Sequence, residues 1–290
     1  MVLCAGFGTR LRPLTDELPK PLVPVGDRSV ISHIATMLRD AGFQRMVVNG
    51  HHLTEPLAAG LAQLELPSEL VHEPQIRGTA GGVAGAAEHL GAGDVVVYNG
   101  DILAQLDLPA LLAAHRAGPA LATLAVTQPL PVGQGTVGLD DAGRVVRLRA
   151  GRWGVEAAGA DFVGVQVLSP QGRDRLPADG CLVGDLYLPA LDEGLELRAA
   201  AVASGFFDIG SPAAYLAANL AWLAEREEPS WVGPGGAVGD RVELRDSLVG
   251  PGAAIEGRGV VERCVLWPGA KVVAPLDNAV VTTEGRVVSC

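Results

Sequence analysis

Leu3-Cys4-Ala5-Gly6-Phe7-Gly8-Thr9-Arg10-Leu11-Arg12-Pro13-Leu14-Thr15, continued by Leu18-Pro19-Lys20-Pro21-Leu22-Val23-Pro24-Val25-Gly26, is a short apolar run that breaks into a glycine-rich turn. Glycines at 6 and 8 let backbone approach a ligand closely and aim N–H groups at phosphate. Thr9 adds a hydroxyl and Arg10 a planar charged fork. Lys20 stands between two prolines that fix the neighbouring backbone, so its ammonium is a positioned point charge. Taken alone, glycine-x-glycine after a strand is weak evidence. The third glycine of a dinucleotide fingerprint is replaced by Leu11, and no phosphate-binding G-x-x-x-x-G-K-[ST] loop occurs. On residue types alone, a tight turn followed by a surface lysine is an equal alternative.

Working outward, short β-branched runs alternate with helical-period segments up to about residue 226, the pattern of a mainly parallel α/β sheet. Strands are predicted at 3–5, 45–49, 69–72, 95–98, 121–127 and 162–168. Ser29 reads as the cap of a helix carrying Val30, Ile31, Ile34, Met37 and Leu38 and closed by Gly42. A second helix runs through Tyr215, Leu216, Leu220, Trp222 and Leu223. A strand of three residues is short for a sheet centre, so two or three residues are expected ahead of Met1.

After Pro229 the period changes. Val232 to Val238, Val249 to Ile255 and Leu266 to Val272 each hold two aliphatics six residues apart, and the units begin 17 residues apart. Gly and Pro fill the corners, which suits a parallel β-helix in which each short strand stacks one aliphatic on its neighbour's. A flexible linker has no reason to keep that apolar register. Three coils are near the minimum for stability, so the region is expected to dock on the α/β part. Two domains follow, residues 1–228 and 229–290.

Composition sets limits on function. The 290 residues carry 22 basic and 33 acidic side chains, a net charge of −11, with no Lys/Arg run, so nucleic acid is an unlikely partner. No apolar stretch is long enough to span a membrane, and no basic and apolar leader precedes the first strand, so a cytoplasmic protein is expected. Cys4, Cys181, Cys264 and Cys290 are far apart and read as reduced thiols.

The two quoted stretches together resemble the signature of the sugar-1-phosphate nucleotidylyltransferases, G-x-G-T-R-L-x-P-x-T followed by P-K-P-L-x-P-[VI]. The likeness continues in Glu73 with Gly78-Thr79-Ala80-Gly81-Gly82, in Asn99-Gly100-Asp101 and in Phe207-Asp208-Ile209-Gly210-Ser211-Pro212. It implies a Rossmann-like nucleotidyltransferase domain with a mainly parallel sheet, followed by a C-terminal left-handed hexapeptide β-helix. It also implies that Arg10 holds the β- and γ-phosphates of an NTP and that Lys20 stabilises charge at the α-phosphate. Asp101 and Asp208 would hold Mg²⁺. Ala5, Gly6, Gly8, Thr9, Glu73, Gly78, Thr79, Gly82 and Asn99 would receive the nucleotide, and Gly164 and Asp185 the sugar. The implied reaction is in-line attack of a sugar 1-phosphate on the α-phosphorus, releasing pyrophosphate and needing no covalent enzyme intermediate.

The chain departs from the family in lacking the Glu-Lys-Pro tripeptide whose lysine meets the sugar phosphate. Arg147, Arg149 and Arg152 are candidate substitutes, although hairpin arginines after Asp140-Asp141-Ala142-Gly143 are more often solvated. His51-His52 reads as a loop feature rather than a metal site, because adjacent side chains on extended backbone point apart. GTP with mannose 1-phosphate is the preferred substrate pair. The alternatives are UTP with an amino-sugar or glucose 1-phosphate, and a catalytically silent nucleotide-sugar-binding regulator. An acyltransferase, suggested by the repeats, is disfavoured by the absence of histidine beyond residue 115. The coils are expected to serve as a structural and homo-oligomer-forming platform.

Overall fold

The computed structural model describes residues 1–290 as two compact units, each built from two pieces of chain. The first comprises Met1–Gly6 and Ile34–Phe206, the second Phe7–His33 and Phe207–Cys290.

The first unit is organised by an eight-stranded sheet in the order Ser68–His72, Met46–Gly50, Val2–Leu3, Val95–Asn99, Phe162–Leu168, Ala122–Thr127, Leu197–Asp208, Ile102–Leu106. The first four strands are mutually parallel, Phe162–Leu168 is antiparallel to both neighbours, and Leu197–Asp208 is again parallel to Ala122–Thr127. The parallel strands are short apolar runs because both faces are covered; Val2, Val48, Val97 and Tyr98 are wholly buried. All six predicted strands form within two residues of their expected ends. Pairing of the first begins before its expected start, since the Met1 amine donates to Val96 O at 2.8 Å and Tyr98 N to Met1 O at 2.9 Å. Leu197–Asp208 is not among the predicted strands, because Arg198-Ala199-Ala200-Ala201 has a helix-forming composition that pairing with Ala122–Thr127 overrides.

A four-stranded antiparallel sheet, Gly151–Arg152, Val145–Leu148, Val137–Leu139 and Ala158–Ala160, completes this unit. It bears out the expectation that Arg149 and Arg152 are exposed and corrects it for Arg147. Arg147 is 7% exposed and donates to Glu156 and to the carbonyls of Gln134, Gly135 and Val137 at 2.7–3.1 Å. Each nitrogen of the guanidinium is engaged by Glu156 or by these carbonyls, which turns Arg147 inward rather than toward solvent.

In the second unit, helix Pro212–Ala224 begins at Ser211, whose hydroxyl accepts from Ala214 N at 3.2 Å. It carries Tyr215, Leu216, Asn219, Trp222 and Leu223 to the interior. The repeats stack as parallel strands in a 17-residue register: Trp231 pairs with Leu248, Leu248 with Val265, and Ile255 with Val272. Val249, Ile255, Leu266, Val261 and Val281 fill the core of the stack. Val232, expected inside, is 43% exposed, because its strand has a paired neighbour on one side only. The last strand, Val287–Ser289, turns back antiparallel on Lys271–Val281.

The compact units do not divide at residue 228. A boundary read from the change of repeat period cannot show that 7–33 and the helix share an interior with the coils. Gly26 joins 7–33 to the helix, its N–H donating to Asn219 Oδ1 at 3.0 Å and its missing side chain leaving room for the Trp222 ring, while Trp222 meets Trp231 edge-on and Trp267 Nε1 donates to Tyr215 on the coil side.

The buried Arg147–Glu156 pair makes acid stability testable. Hydrogen bonding from Arg147 lowers the Glu156 carboxyl from its ordinary 4.5 to about 2. A depressed folded pKa contributes stability above about pH 4.5 that is lost as pH falls toward 2. Glu156→Ala is expected to cost about 3–5 kcal/mol at neutral pH by stranding a buried guanidinium. In urea denaturation, the gap from wild type should narrow between pH 4.5 and pH 2.5.

Candidate functional site

Val2–Leu3 lies between Met46–Gly50 and Val95–Asn99, with Leu3 opposite both Asn49 and Asn99. The three strands therefore end level, and the residues that follow them lie at the carboxyl edge, where open α/β sheets bind ligands. Asn99-Gly100-Asp101 is pressed onto the first strand's exit by Gly100. Its N–H donates to Leu3 O at 2.9 Å, and a Cβ there would meet Cys4 Sγ at 2.5 Å. Asp101 is thus held beside Cys4-Ala5-Gly6 by a contact that only glycine permits. Desolvation, reinforced by the Asp101 carboxylate, pushes the pKa of the half-buried Cys4 thiol far up. Gly164 sits where the register of its strand shifts, at φ +73, with Asn99 Nδ2 2.9 Å from the place of its absent Cβ. Sequence-predicted Asn99 and Gly164 are therefore neighbours.

Glu73 is 3% exposed and works as a hub. Its Oε1 accepts from Asn49 Nδ2 at 2.8 Å and its Oε2 from Arg77 N at 3.2 Å, while Asn49 Oδ1 accepts from Cys4 N at 2.8 Å. Gly82 leaves the space that both side chains fill. These bonds fix the exit of the first strand to the start of helix Gly78–Gly85. Asn49, not anticipated from sequence, shares that role; a buried amide closing the apolar run Met46-Val47-Val48 was its only signal. His51 also serves this edge, its Nδ1 bonded to Glu73 O at 2.8 Å, as expected of a loop residue.

The Gly78–Gly82 segment is joined to residues 180–185. Thr79 Oγ1 accepts from Leu182 N at 2.8 Å, Ala80 N donates to Gly180 O at 2.9 Å, and Gly78 passes so close to Gly180 O that a Cβ would sit 2.4 Å away. Asp185 Oδ2 accepts from Cys181 N at 2.7 Å. Thr79 and Asp185 are thus brought to one loop junction. Burial raises the Cys181 thiol, but the N–H groups of Gly184 and Val183, the Thr79 hydroxyl and Arg149 outweigh it and hold its pKa below the ordinary 9.0. Arg149, at φ 51, reaches Cys181 Sγ at 3.5 Å, whereas Arg152 turns to Glu156 at 3.5 Å.

In the second unit, Gly8 at φ +62 starts the turn Thr9–Leu11 and is braced by Thr15 Oγ1, which donates to Gly8 O at 2.9 Å. Thr9 and Arg10 are left exposed. Arg10 lies 3.8 Å from Asp208, with side chains 69% and 46% exposed, so their pairing is worth under about 1 kcal/mol and both charges face solvent. Gly210 makes their approach possible, since a Cβ there would sit 3.0 Å from Arg10 Nη1 and Asp208 Oδ1. Lys20 opens the turn Lys20–Leu22, with the Pro19 ring buried behind it. No three His, Cys, Asp or Glu side chains gather as a metal cage, and no helix is long and apolar enough to cross a membrane.

Residues 1–149 match the family model described as Nucleotidyl transferase. Over 232 residues the chain is 30% identical to the UTP–glucose-1-phosphate uridylyltransferase of Synechocystis sp., covering 72% of this chain and 59% of that protein. It is 29% identical over 260 residues to probable mannose-1-phosphate guanylyltransferase 1 of Oryza sativa subsp. japonica, 85% of this chain and 71% of that one. It is 38% identical over 117 residues to the N-acetylmuramate alpha-1-phosphate uridylyltransferase of Neisseria meningitidis, 38% of this chain and 49% of that one. The chain thus spans about three fifths of the uridylyltransferase from Synechocystis. Among solved structures, HddC from Yersinia pseudotuberculosis complexed with GMP-PN superposes with a TM-score of 0.61 at 21% identity, over 76% of this chain and 97% of that one, a likeness of fold. With a family match over just more than half its length, on an α/β fold whose main sheet is largely parallel, the chain belongs to the nucleotidyl transferase family.

Proposed function

We propose that this chain is a sugar-1-phosphate nucleotidylyltransferase. A phosphate oxygen of the sugar 1-phosphate forms a bond to the α-phosphorus of an NTP, the bond from that phosphorus to the β-phosphate bridging oxygen breaks, and pyrophosphate leaves. The observation that carries this reading is the exit of the central strand. It runs into a glycine turn that leaves Thr9 and Arg10 exposed, while Gly100 fixes Asp101 beside the same exit. The uridylyltransferase and guanylyltransferase names of its relatives support it.

In this reading Arg10 holds the β- and γ-phosphates, and Lys20 meets the α-phosphate and the charge that grows there. In a chain of net charge −11, two placed cations give an anionic substrate its local attraction. Backbone from Ala5 to Gly8 and from Gly78 to Thr79 receives base and ribose. Glu73 and Gly82 act from the interior by holding that backbone, Asn99 completes the nucleotide side, and Gly164 and Asp185 serve the sugar side. Asp101 and Asp208, hard oxygen donors of the kind Mg²⁺ takes, are the residues we propose would hold the ion. Bound Mg²⁺ would neutralise phosphoryl charge and ease departure of pyrophosphate. Residues 229–290 wind, in this reading, as a left-handed β-helix; the 17-residue parallel register supports coil stacking.

GTP with mannose 1-phosphate is our preferred pair, on the guanylyltransferase relative that matches 85% of this chain. UTP with glucose or an amino-sugar 1-phosphate is the second reading, favoured by the two uridylyltransferase relatives.

Pyrophosphate release from ATP, CTP, GTP, UTP and dTTP against a panel of sugar 1-phosphates tests the proposal. Release should require Mg²⁺, stop with EDTA and favour one NTP. Silence across the panel in folded protein would instead support a nucleotide-sugar-binding regulator. Lys20→Ala should lower kcat by about 10²–10³ with a smaller change in KM for the NTP. Asp101→Asn should raise the Mg²⁺ concentration needed for half-maximal rate.

A further inference from the structure

Between Thr15 and Lys20 the signature stretch carries Asp16 and Glu17, two acids beside a segment meant to bind phosphate. Neither has a role in charge neutralisation, yet both are engaged by a single turn of the C-terminal stack. Thr282 is wholly buried, and its hydroxyl oxygen accepts from Arg286 N at 3.2 Å. Its one proton is donated to Glu17 Oε1. The other carboxylate oxygen accepts from Glu284 N at 3.3 Å, and Arg286 Nη1 meets Asp16 Oδ2 at 3.2 Å. The turn is itself closed, with Thr282 N donating to Arg286 O at 3.0 Å and Gly285 N to Thr282 O at 2.9 Å. Gly285 stands at φ +82, the left-handed conformation such a reversal requires.

A second grip lies seven residues further along the loop. Trp267 and Tyr215 are wholly buried; Trp267 Nε1 donates to Tyr215 Oη at 2.9 Å, and that hydroxyl donates its own proton to Pro24 O. Between Glu17 and Pro24 lie Leu18 to Val23, which include Pro19, Lys20 and Pro21. A six-residue span stiffened by two prolines and tied at both ends has little freedom left.

We propose that the last coil of the C-terminal stack is a positioning device for Lys20, acting through Thr282 on Glu17 and through Trp267 and Tyr215 on Pro24. The inference rests on the reading of Lys20 as the α-phosphate ligand. It assigns the C-terminal coils a part in turnover, because a charge aimed at a transition state loses effect when displaced by an ångström or less.

Thr282→Val removes the hydroxyl while keeping shape, and Thr282→Ser restores it. In steady-state kinetics Thr282→Val should lower kcat about tenfold with KM for the NTP within about twofold, and Thr282→Ser should stay near wild type. Amide exchange supplies a readout independent of activity. Leu22 N and Val23 N donate to Pro19 O and Lys20 O at 2.8 and 3.2 Å, and both should exchange faster in Thr282→Val. Glu17→Ala removes the same bonds from the half-exposed side and should reproduce both effects if Thr282→Val fails to fold. Wild-type kcat and unchanged exchange in the folded variants would overturn the proposal. If wild type shows no transfer with any substrate pair, the reading of Lys20 fails, while exchange still decides whether the coil holds the loop.

Discussion

Residues 8–26 contain three turns of three residues each, Thr9–Leu11, Leu14–Asp16 and Lys20–Leu22, and a two-residue strand pairing at Pro24–Val25. Prolines at 13, 19, 21 and 24 remove four further backbone donors. A segment with so few bonds of its own keeps a shape only if its polar groups are taken up elsewhere. Here they are: Glu17 by Thr282 and Glu284, Pro24 O by Tyr215, and Gly26 N by Asn219, with Thr15 bracing Gly8 O from within the segment. The helix Pro212–Ala224 and the stacked coils are thus the frame on which Arg10, Lys20 and Asp208 are displayed.

The first unit solves a similar problem by burying a polar network. Asn49 and Glu73 place three hydrogen bonds across a strand exit and a helix start, and Gly82 and Gly100 remove the side chains that would push those segments apart. In a low-dielectric interior such a network is valuable only when every member is satisfied, so it holds the strand edge in one arrangement. Glu73 therefore holds this strand edge without itself reaching solvent, and the glycines around it act by permitting contact rather than by supplying side chains.

Much of this was legible in the chain because local pattern and tertiary structure agree. Val95-Val96-Val97-Tyr98 could only be a buried strand, Ser29 and Gly42 bracket their helix as cap and stop, and the 17-residue spacing reappears as strand register. The misses share a cause, which is partnership between distant residues. Arginines after a hairpin turn look solvated until Glu156 and three carbonyls close on Arg147. Thr282 and Glu17 are 265 residues apart, and neither stands out in composition. Asn49 is one amide at the end of an apolar run. Candidate residues carried by a contiguous pattern, such as Arg10, Lys20 and Asp101, can be proposed from the sequence; contacts such as those of Thr282 and Asn49 cannot.

In the proposed reading the groups at the strand edges act by position and by charge, with no covalent intermediate on the protein. Desolvation holds the Cys4 thiol well above its ordinary pKa, and the Cys181 thiol, held below its own, lies at the 180–185 junction against Arg149. Transfer should therefore occur by direct displacement, with both substrates bound together. Exchange of labelled pyrophosphate into the NTP, measured with Mg²⁺ present and sugar 1-phosphate omitted, probes this most directly. Direct displacement predicts no exchange until sugar phosphate or the nucleotide sugar is added. Exchange at a rate comparable with turnover in its absence would reveal a nucleotidyl-enzyme intermediate and contradict a site built only from placed charges.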